Sequence, residues 1–180
     1  DYWLFDIIAN KLTKMGKTLP ARSIMFAKFS PDGKAVAYVS EHNIYSEDIG
    51  NGAITKLTKD GTRKLINGTF DWVYEEEFNC RDGFRWSPDG TMIAFWQVDA
   101  TKIRDYYMLN TTDSNYSQVI PVEYPKVGET PSAVKVGVVN INTKNRQRDL
   151  TGMIHLLVSM IYKNTAFFVF LSFHTEKCRR

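Results

Sequence analysis

Three consecutive carboxylates, Glu75, Glu76 and Glu77, stand between Trp72 and Tyr74 on one side and Phe78, Phe84 and Trp86 on the other. An acidic run normally keeps polar company, because like charges repel and each is best solvated by water. Here its neighbours are aromatic, a residue type that buries large areas and fixes the backbone. Carboxylates held together in such company call for a cation between them, either an Arg or Lys of the chain or the ammonium of a ligand. The same residues also read as a short, solvated helical turn that happens to be acidic. Asp71, directly ahead of Trp72, has the position of that turn's N-cap.

Other chemistry is sparse. No Gly-x-Ser-x-Gly nucleophile elbow occurs, and the three histidines, His42, His155 and His174, lack a frame that would assemble a catalytic triad. The two cysteines, Cys80 and Cys178, are far apart, and no Cys or His spacing suggests zinc. No catalytic residue, metal or cofactor is expected from this chain.

The elements that must position the glutamates read as strands. Aromatic content of 13% with 11 Gly and 6 Pro favours a turn-rich β architecture. Residues 2–8 and 11–13 suit two strands of a β-unit, and 21–29 lead into Ser30-Pro31-Asp32-Gly33, a turn in which Pro presets one dihedral and Gly relieves another. Strands follow at 35–39, from 43 and at 54–58, with a tight turn at Asn51-Gly52. The Ser-Pro-Asp-Gly turn recurs at 87–90, again with an aromatic before it and a strand after it, at 92–96. Repeated four-strand units with a turn signature are how β-propeller blades look in sequence, although a β-sandwich can carry two copies of a common turn. The expected fold is therefore all-β: a partial β-propeller of about two to three four-stranded blades, its second unit lengthened by a helical glutamate insertion at 71–83. After strands at 105–109 and 119–122, flanking a polar loop at 110–117, a further strand spans 133–141.

The octapeptide Asp-Trp-Val-Tyr-Glu-Glu-Glu-Phe at 71–78 resembles the double-glutamate motif of the dipeptidyl peptidase IV family, in the prolyl oligopeptidase clan of serine peptidases. The similarity to that family's propeller domain runs from about residue 2 to 145, and the tail at 146–180 does not share it. The resemblance implies a parent enzyme that removes N-terminal dipeptides with Pro or Ala in second place. It implies that Glu76 and Glu77 bind the α-ammonium of the peptide substrate, that Glu75 turns outward or braces the helix, and that Trp72, Tyr74 and Phe78 support by packing. The family also uses an upstream Arg beside the pair and a separate hydrolase domain; neither is expected within this chain, which would be inactive alone. A homodimer through an extended arm at 106–128 is implied as well, against the plainer reading of a long hairpin loop. The alternative function is a non-catalytic β-propeller interaction module. A periplasmic, cell-surface or secreted location goes with the family.

A net charge of +3 is too small to suggest a nucleic-acid partner. The excess basicity lies in residues 144–180, with seven Lys/Arg against two Asp/Glu. Residues 153–173 are long and apolar enough for a membrane span, but Lys163 at their centre would cost about 2.5–3.5 kcal/mol. The tail is read as sequence foreign to the propeller, and no membrane partner is expected. The N-terminus lacks the features of a signal peptide. Sequons begin at Asn67, Asn110 and Asn115.

Overall fold

The computed structural model describes residues 1–143 and the backbone of 146–148. The remainder of the 146–180 tail, with Cys178, His155, His174 and the apolar run at 153–173, lies outside the described residues. Two strands, β1 (Trp3–Asp6) and β2 (Lys11–Lys14), form an antiparallel hairpin. Four more, β3 (Met25–Phe29), β4 (Ala35–Ser40), β5 (Asn43–Asp48) and β6 (Ile54–Lys56), form an antiparallel sheet in chain order. Next come β7 (Leu65–Asn67), the helix α1 (Trp72–Phe78), β8 (Phe84–Trp86) and β9 (Met92–Asp99). An arm, β10 (Asp105–Asn110) paired with β11 (Gln118–Glu123), precedes β12 (Ala133–Asn140) and β13 (Arg146–Arg148). The second large sheet has the order β13-β12-β9-β7, with β8 also on β9.

Alternation along β4 shows why 35–39 is apolar throughout. Ala37 and Val39 join Ile44 and Leu57 on one face and meet Phe84, Trp86, Ile93, Phe95 and Val139 of the next sheet. Val36 and Tyr38 point the opposite way, with Tyr45 and Met15, toward Leu4 of the first hairpin. A strand covered on both faces has no side that must be polar. The core thus lies between stacked sheets, as in the expected arc of blades. Glu47, buried in the second of these layers, is satisfied by the Tyr38 hydroxyl (2.9 Å) and the Gly16 N–H (2.9 Å).

The two Ser-Pro-Asp-Gly turns are the same structure twice. In the first, Ser30 Oγ donates to Asp32 (2.6 Å) and accepts from Ala35 N (2.9 Å), while Gly33 N–H donates to the Ser30 carbonyl (2.9 Å). In the second, Ser87 Oγ donates to Asp89 (2.5 Å) and accepts from Met92 N (2.9 Å), and Gly90 N–H donates to the Ser87 carbonyl (2.9 Å). Each joins an edge strand of its sheet, β3 or β8, to the next. Their serines hold the carboxyls of Asp32 and Asp89 below the ordinary range.

The glutamate insertion interrupts the edge of a sheet, between β7 and β8. β7 pairs with the far end of β9 (Ile66 opposite Val98) and β8 with its near end (Phe84 opposite Phe95), so both share one edge of a single strand. Between them the chain leaves at Gly68 and returns at Gly83, where Gly68 N–H donates to Trp96 O (2.9 Å), Gly83 N–H to Gly68 O (3.0 Å) and Trp96 N–H to Gly83 O (2.9 Å). Gly68 has φ of 80°, and a Cβ there would lie 2.9 Å from both Ile44 Cγ1 and Val39 Cγ2.

This neck gives a direct comparison. Gly33→Ala, at φ of 70° with open space around it, should lose only the dihedral cost, about 1–2 kcal/mol. Gly68→Ala should lose that and a further ~1–3 kcal/mol from overpacking. Urea unfolding of the two variants reads the difference, and equal losses would mean that the neck is not sterically set.

Candidate functional site

Seven residues make a helix too short to persist alone, so α1 depends on its ends and neighbours. Asp71 is the N-cap, extended at φ −80° and ψ 175°, with Oδ1 accepting from Tyr74 N (3.0 Å) and its backbone carbonyl from Glu75 N (3.0 Å). Glu75, in the first turn, also suits the positive end of the helix dipole. Asn79 ends the helix in the left-handed region at φ 54°, a conformation Asn tolerates, and Cys80 N–H donates back to Tyr74 O (3.0 Å).

The three carboxylates take different roles. Glu75 is half-buried and pairs with Arg81 Nε (3.3 Å). Glu76 and Glu77 are exposed and have no ion pair among the described residues. The sequence groups all three in an aromatic setting, and the structure keeps part of it. Phe70, Tyr74 and Phe78 form a ladder with ring centroids 6.1 and 5.8 Å apart, and Trp72 packs on Tyr124 at 4.9 Å. Phe78 is 67% exposed nonetheless. Phe84 and Trp86, expected on the other flank, are instead in the core between the sheets. Past Gly83 the chain is already strand β8, and its side chains are committed to that core.

Four contributors to the site have no signal in the spacing of the sequence. Ser132, just before β12, donates its hydroxyl to Asp71 Oδ2, and both residues are buried. Tyr124, just after β11, carries the Trp72 ring and also meets Tyr106 at 5.7 Å. Lys28 on β3 reaches across to the returning limb, where its ammonium binds Asp82 and Phe84 O (3.0 Å) and lies 4.1 Å over the Phe84 ring. Arg85 closes the group on Asp82 (2.9 Å). Burial pulls Lys28 down to about 8 against the hold of Asp82. An Arg or Lys was the expected intramolecular cation; the chain supplies one only for Glu75 among the described residues, and spends Lys28 and Arg85 on Asp82.

The remaining candidates fall elsewhere. His42 lies in the β4–β5 turn, where its carbonyl accepts from Asn67 N (3.1 Å) and Nδ2 (3.2 Å), and burial holds its imidazole below the ordinary range. Asn67, with its side chain tied to that carbonyl, is fully buried, so that sequon is closed in the fold. No group of His, Cys, Asp and Glu suited to a metal occurs among the described residues, and no helix among them is long and apolar enough to cross a membrane. Burial pushes the Cys80 thiol up. The arm is fastened at its base by Arg63 to Asp105 (3.1 Å) and Glu123 and by Lys64 to Asp105 (2.9 Å).

Known proteins resemble this chain in sequence and fold. A family model described as the dipeptidyl peptidase IV (DPP IV) N-terminal region matches residues 1–163. A protein named probable dipeptidyl-aminopeptidase B from Chaetomium globosum is 32% identical over 139 residues, 71% of this chain and 15% of its own length. One named probable dipeptidyl peptidase 4 from Aspergillus fumigatus is 32% identical over 152 residues, 81% of this chain and 20% of its own. The crystal structure of Porphyromonas gingivalis dipeptidyl peptidase 4 superposes with a TM-score of 0.74 at 31% identity, over 81% of this chain and 21% of that one. The chain therefore spans between 15% and 21% of the length of these relatives, and its sheets are a partial β-propeller.

The half-buried Lys28 gives the site's anchorage a pH signature. Its folded value of about 8 lies below the unfolded 10.5, so between the two the unfolded chain holds a proton that the folded chain lacks. That stability contribution is complete above the unfolded value and is lost as pH falls toward 8, so unfolding free energy should rise with pH through this window. Lys28→Met should flatten the rise between pH 8 and 10 in urea titrations; an unchanged slope would show that Lys28 is not its source.

Proposed function

The chain belongs to the dipeptidyl peptidase IV family, as part of its N-terminal region, and from that premise we propose that Glu76 and Glu77 receive the α-ammonium of a peptide. A peptidase built on this propeller would then trim X-Pro or X-Ala dipeptides from free N-termini. One observation carries the reading: of three adjacent carboxylates on a capped helix, Glu75 has its cation in Arg81, whereas Glu76 and Glu77 face solvent with none among the described residues. Two ionised carboxylates offer an ammonium several charge-assisted hydrogen bonds, and an acylated amine has no charge to bring to them. A propeller serving only as an interaction module leaves this uncompensated pair without a use.

The arm is the candidate for a second copy of the chain. On one face Tyr107, Leu109, Val119 and Pro121 lie opposite one another across the β10–β11 register, with Tyr107 68%, Leu109 65% and Val119 62% exposed. Met108 and Ile120 make a second apolar patch on the reverse face. Apolar surface of this kind marks an interaction site, and a homodimer through 106–128 is the reading it supports. Sedimentation velocity should show a concentration-dependent dimer that Leu109→Lys with Val119→Lys abolishes; a monomer at all concentrations would sink the proposal.

The amine site is tested on the full chain by NMR titration with an Ala-Pro-containing tripeptide and its N-acetyl counterpart. The free amine should bind more tightly, and that preference should fade as pH rises past about 8, where an α-amino group loses its proton. Glu76→Gln and Glu77→Gln should each weaken free-amine binding roughly ten- to a hundredfold, the range of a charge-assisted hydrogen bond. Glu75→Gln should change it only a few fold, because an exposed ion pair contributes little. Equal losses at all three positions, or no preference for the free amine, would leave the triplet a structural acidic turn.

A further inference from the structure

The glutamate pair has no rigid element of its own beneath it. α1 hangs from the Gly68–Gly83 neck at its base, and its first turn is held by a segment from much later in the chain. Ser132 and Asp71 are 6% and 3% exposed and hydrogen-bonded to each other. Among the described residues Asp71 is the side chain that caps the helix N-terminus, and it divides its carboxylate, one oxygen on Tyr74 N and the other on the Ser132 hydroxyl. Eight positions earlier in the same segment, Tyr124 holds the Trp72 ring. The N-cap is thus fixed from two sides by residues that follow the arm, and Glu76 and Glu77 lie one turn further along the helix it starts.

We propose that Ser132 is a positioning residue for the glutamate pair: its hydroxyl orients the Asp71 carboxylate, and through that cap it sets where α1 presents Glu76 and Glu77. The inference rests on the amine-binding reading above for its consequence, but not for its mechanism. An Asp at an N-cap can swing between rotamers that reach different backbone N–H groups. A buried hydroxyl on its second oxygen selects one of them, and removing that donor leaves a buried carboxylate oxygen without a partner. Serine and threonine satisfy the role; alanine does not.

The test compares the full chain with Ser132→Ala and Ser132→Thr, by amide hydrogen exchange and by titration with free-amine and N-acetylated tripeptides. In Ser132→Ala the Tyr74, Glu75 and Cys80 amides should exchange roughly ten- to a hundredfold faster, while Val39 and Phe95 in the sheets keep wild-type rates. Free-amine affinity should fall with the helix amides, and Ser132→Thr should restore both. Unchanged exchange in α1, or a threonine variant as impaired as alanine, would overturn the proposal. So would faster exchange spread through both sheets, which would make Ser132 a general prop of the fold. A wild-type chain that binds free and acetylated peptides alike would instead defeat the amine reading, and the exchange data alone would then decide whether Ser132 positions the helix.

Discussion

A strand edge can be shared by two partners only if the chain between them comes back to where it left. β9 imposes that condition here: β7 occupies one part of its edge and β8 the other, and the intervening residues must close within a single hydrogen-bonded step. The step is made of backbone alone, Gly68 against Gly83 against Trp96, because a side chain at Gly68 would meet Ile44 and Val39 of the neighbouring sheet. Everything above the neck follows from this closure. The excursion is compact, its helix is short, and the helix emerges from an interrupted sheet edge, between β7 and β8. A loop joining strands elsewhere in the sheet would carry the same three glutamates to a different place.

Much of this architecture was legible beforehand, for physical reasons that can be assigned. The two Ser-Pro-Asp-Gly turns are local: each closes its own hydrogen bonds within six residues, so the sequence contains the whole structure. The apolar run at β4 and the N-cap at Asp71 are local too, and both appear as expected. What stayed hidden is contact across long separations. Lys28 with Asp82, Trp72 with Tyr124 and Asp71 with Ser132 join residues that no periodicity links. The aromatic setting shows the same division. Tyr74 and Phe78, one helical turn apart, do meet, but Phe84 and Trp86 were assigned to the carboxylates on nearness in sequence and belong to the core. Gly83 lies between the two groups, and the change from excursion to strand occurs there.

The anchorage of the returning limb shows how the charges are apportioned. Asp82 gathers Lys28 and Arg85, and the ammonium of Lys28 is held under an aromatic ring and against a backbone carbonyl. Such a half-buried cation is costly to desolvate, and its lowered proton affinity records that cost. It is retained because it ties β3 of one sheet to the limb that feeds β8 of the next, assisted by the Trp86 indole donating to Lys28 O (3.2 Å). The returning limb is thus charge-locked, whereas Glu76 and Glu77 have no ion pair among the described residues.

That contrast bears on how an amine site can exist before its ligand arrives. Two adjacent carboxylates buried without a cation would suffer both desolvation and mutual repulsion. Pairing both with Arg or Lys would relieve the strain but fill the site. Exposure is the remaining solution: water screens Glu76 from Glu77 while the site is empty, and the cap and neck hold the backbone, so little ordering of the helix is left for binding to accomplish. On the proposed reading, an arriving peptide would displace that water and bring one positive charge to two negative ones, and each hydrogen bond to the ammonium would strengthen as water is excluded. The aromatic residues beside the helix leave Glu76 and Glu77 exposed, so a partner that excludes water from them would come from outside α1. Any surface that closed over the pair would deepen its discrimination for a free amine further, by removing the water that screens it.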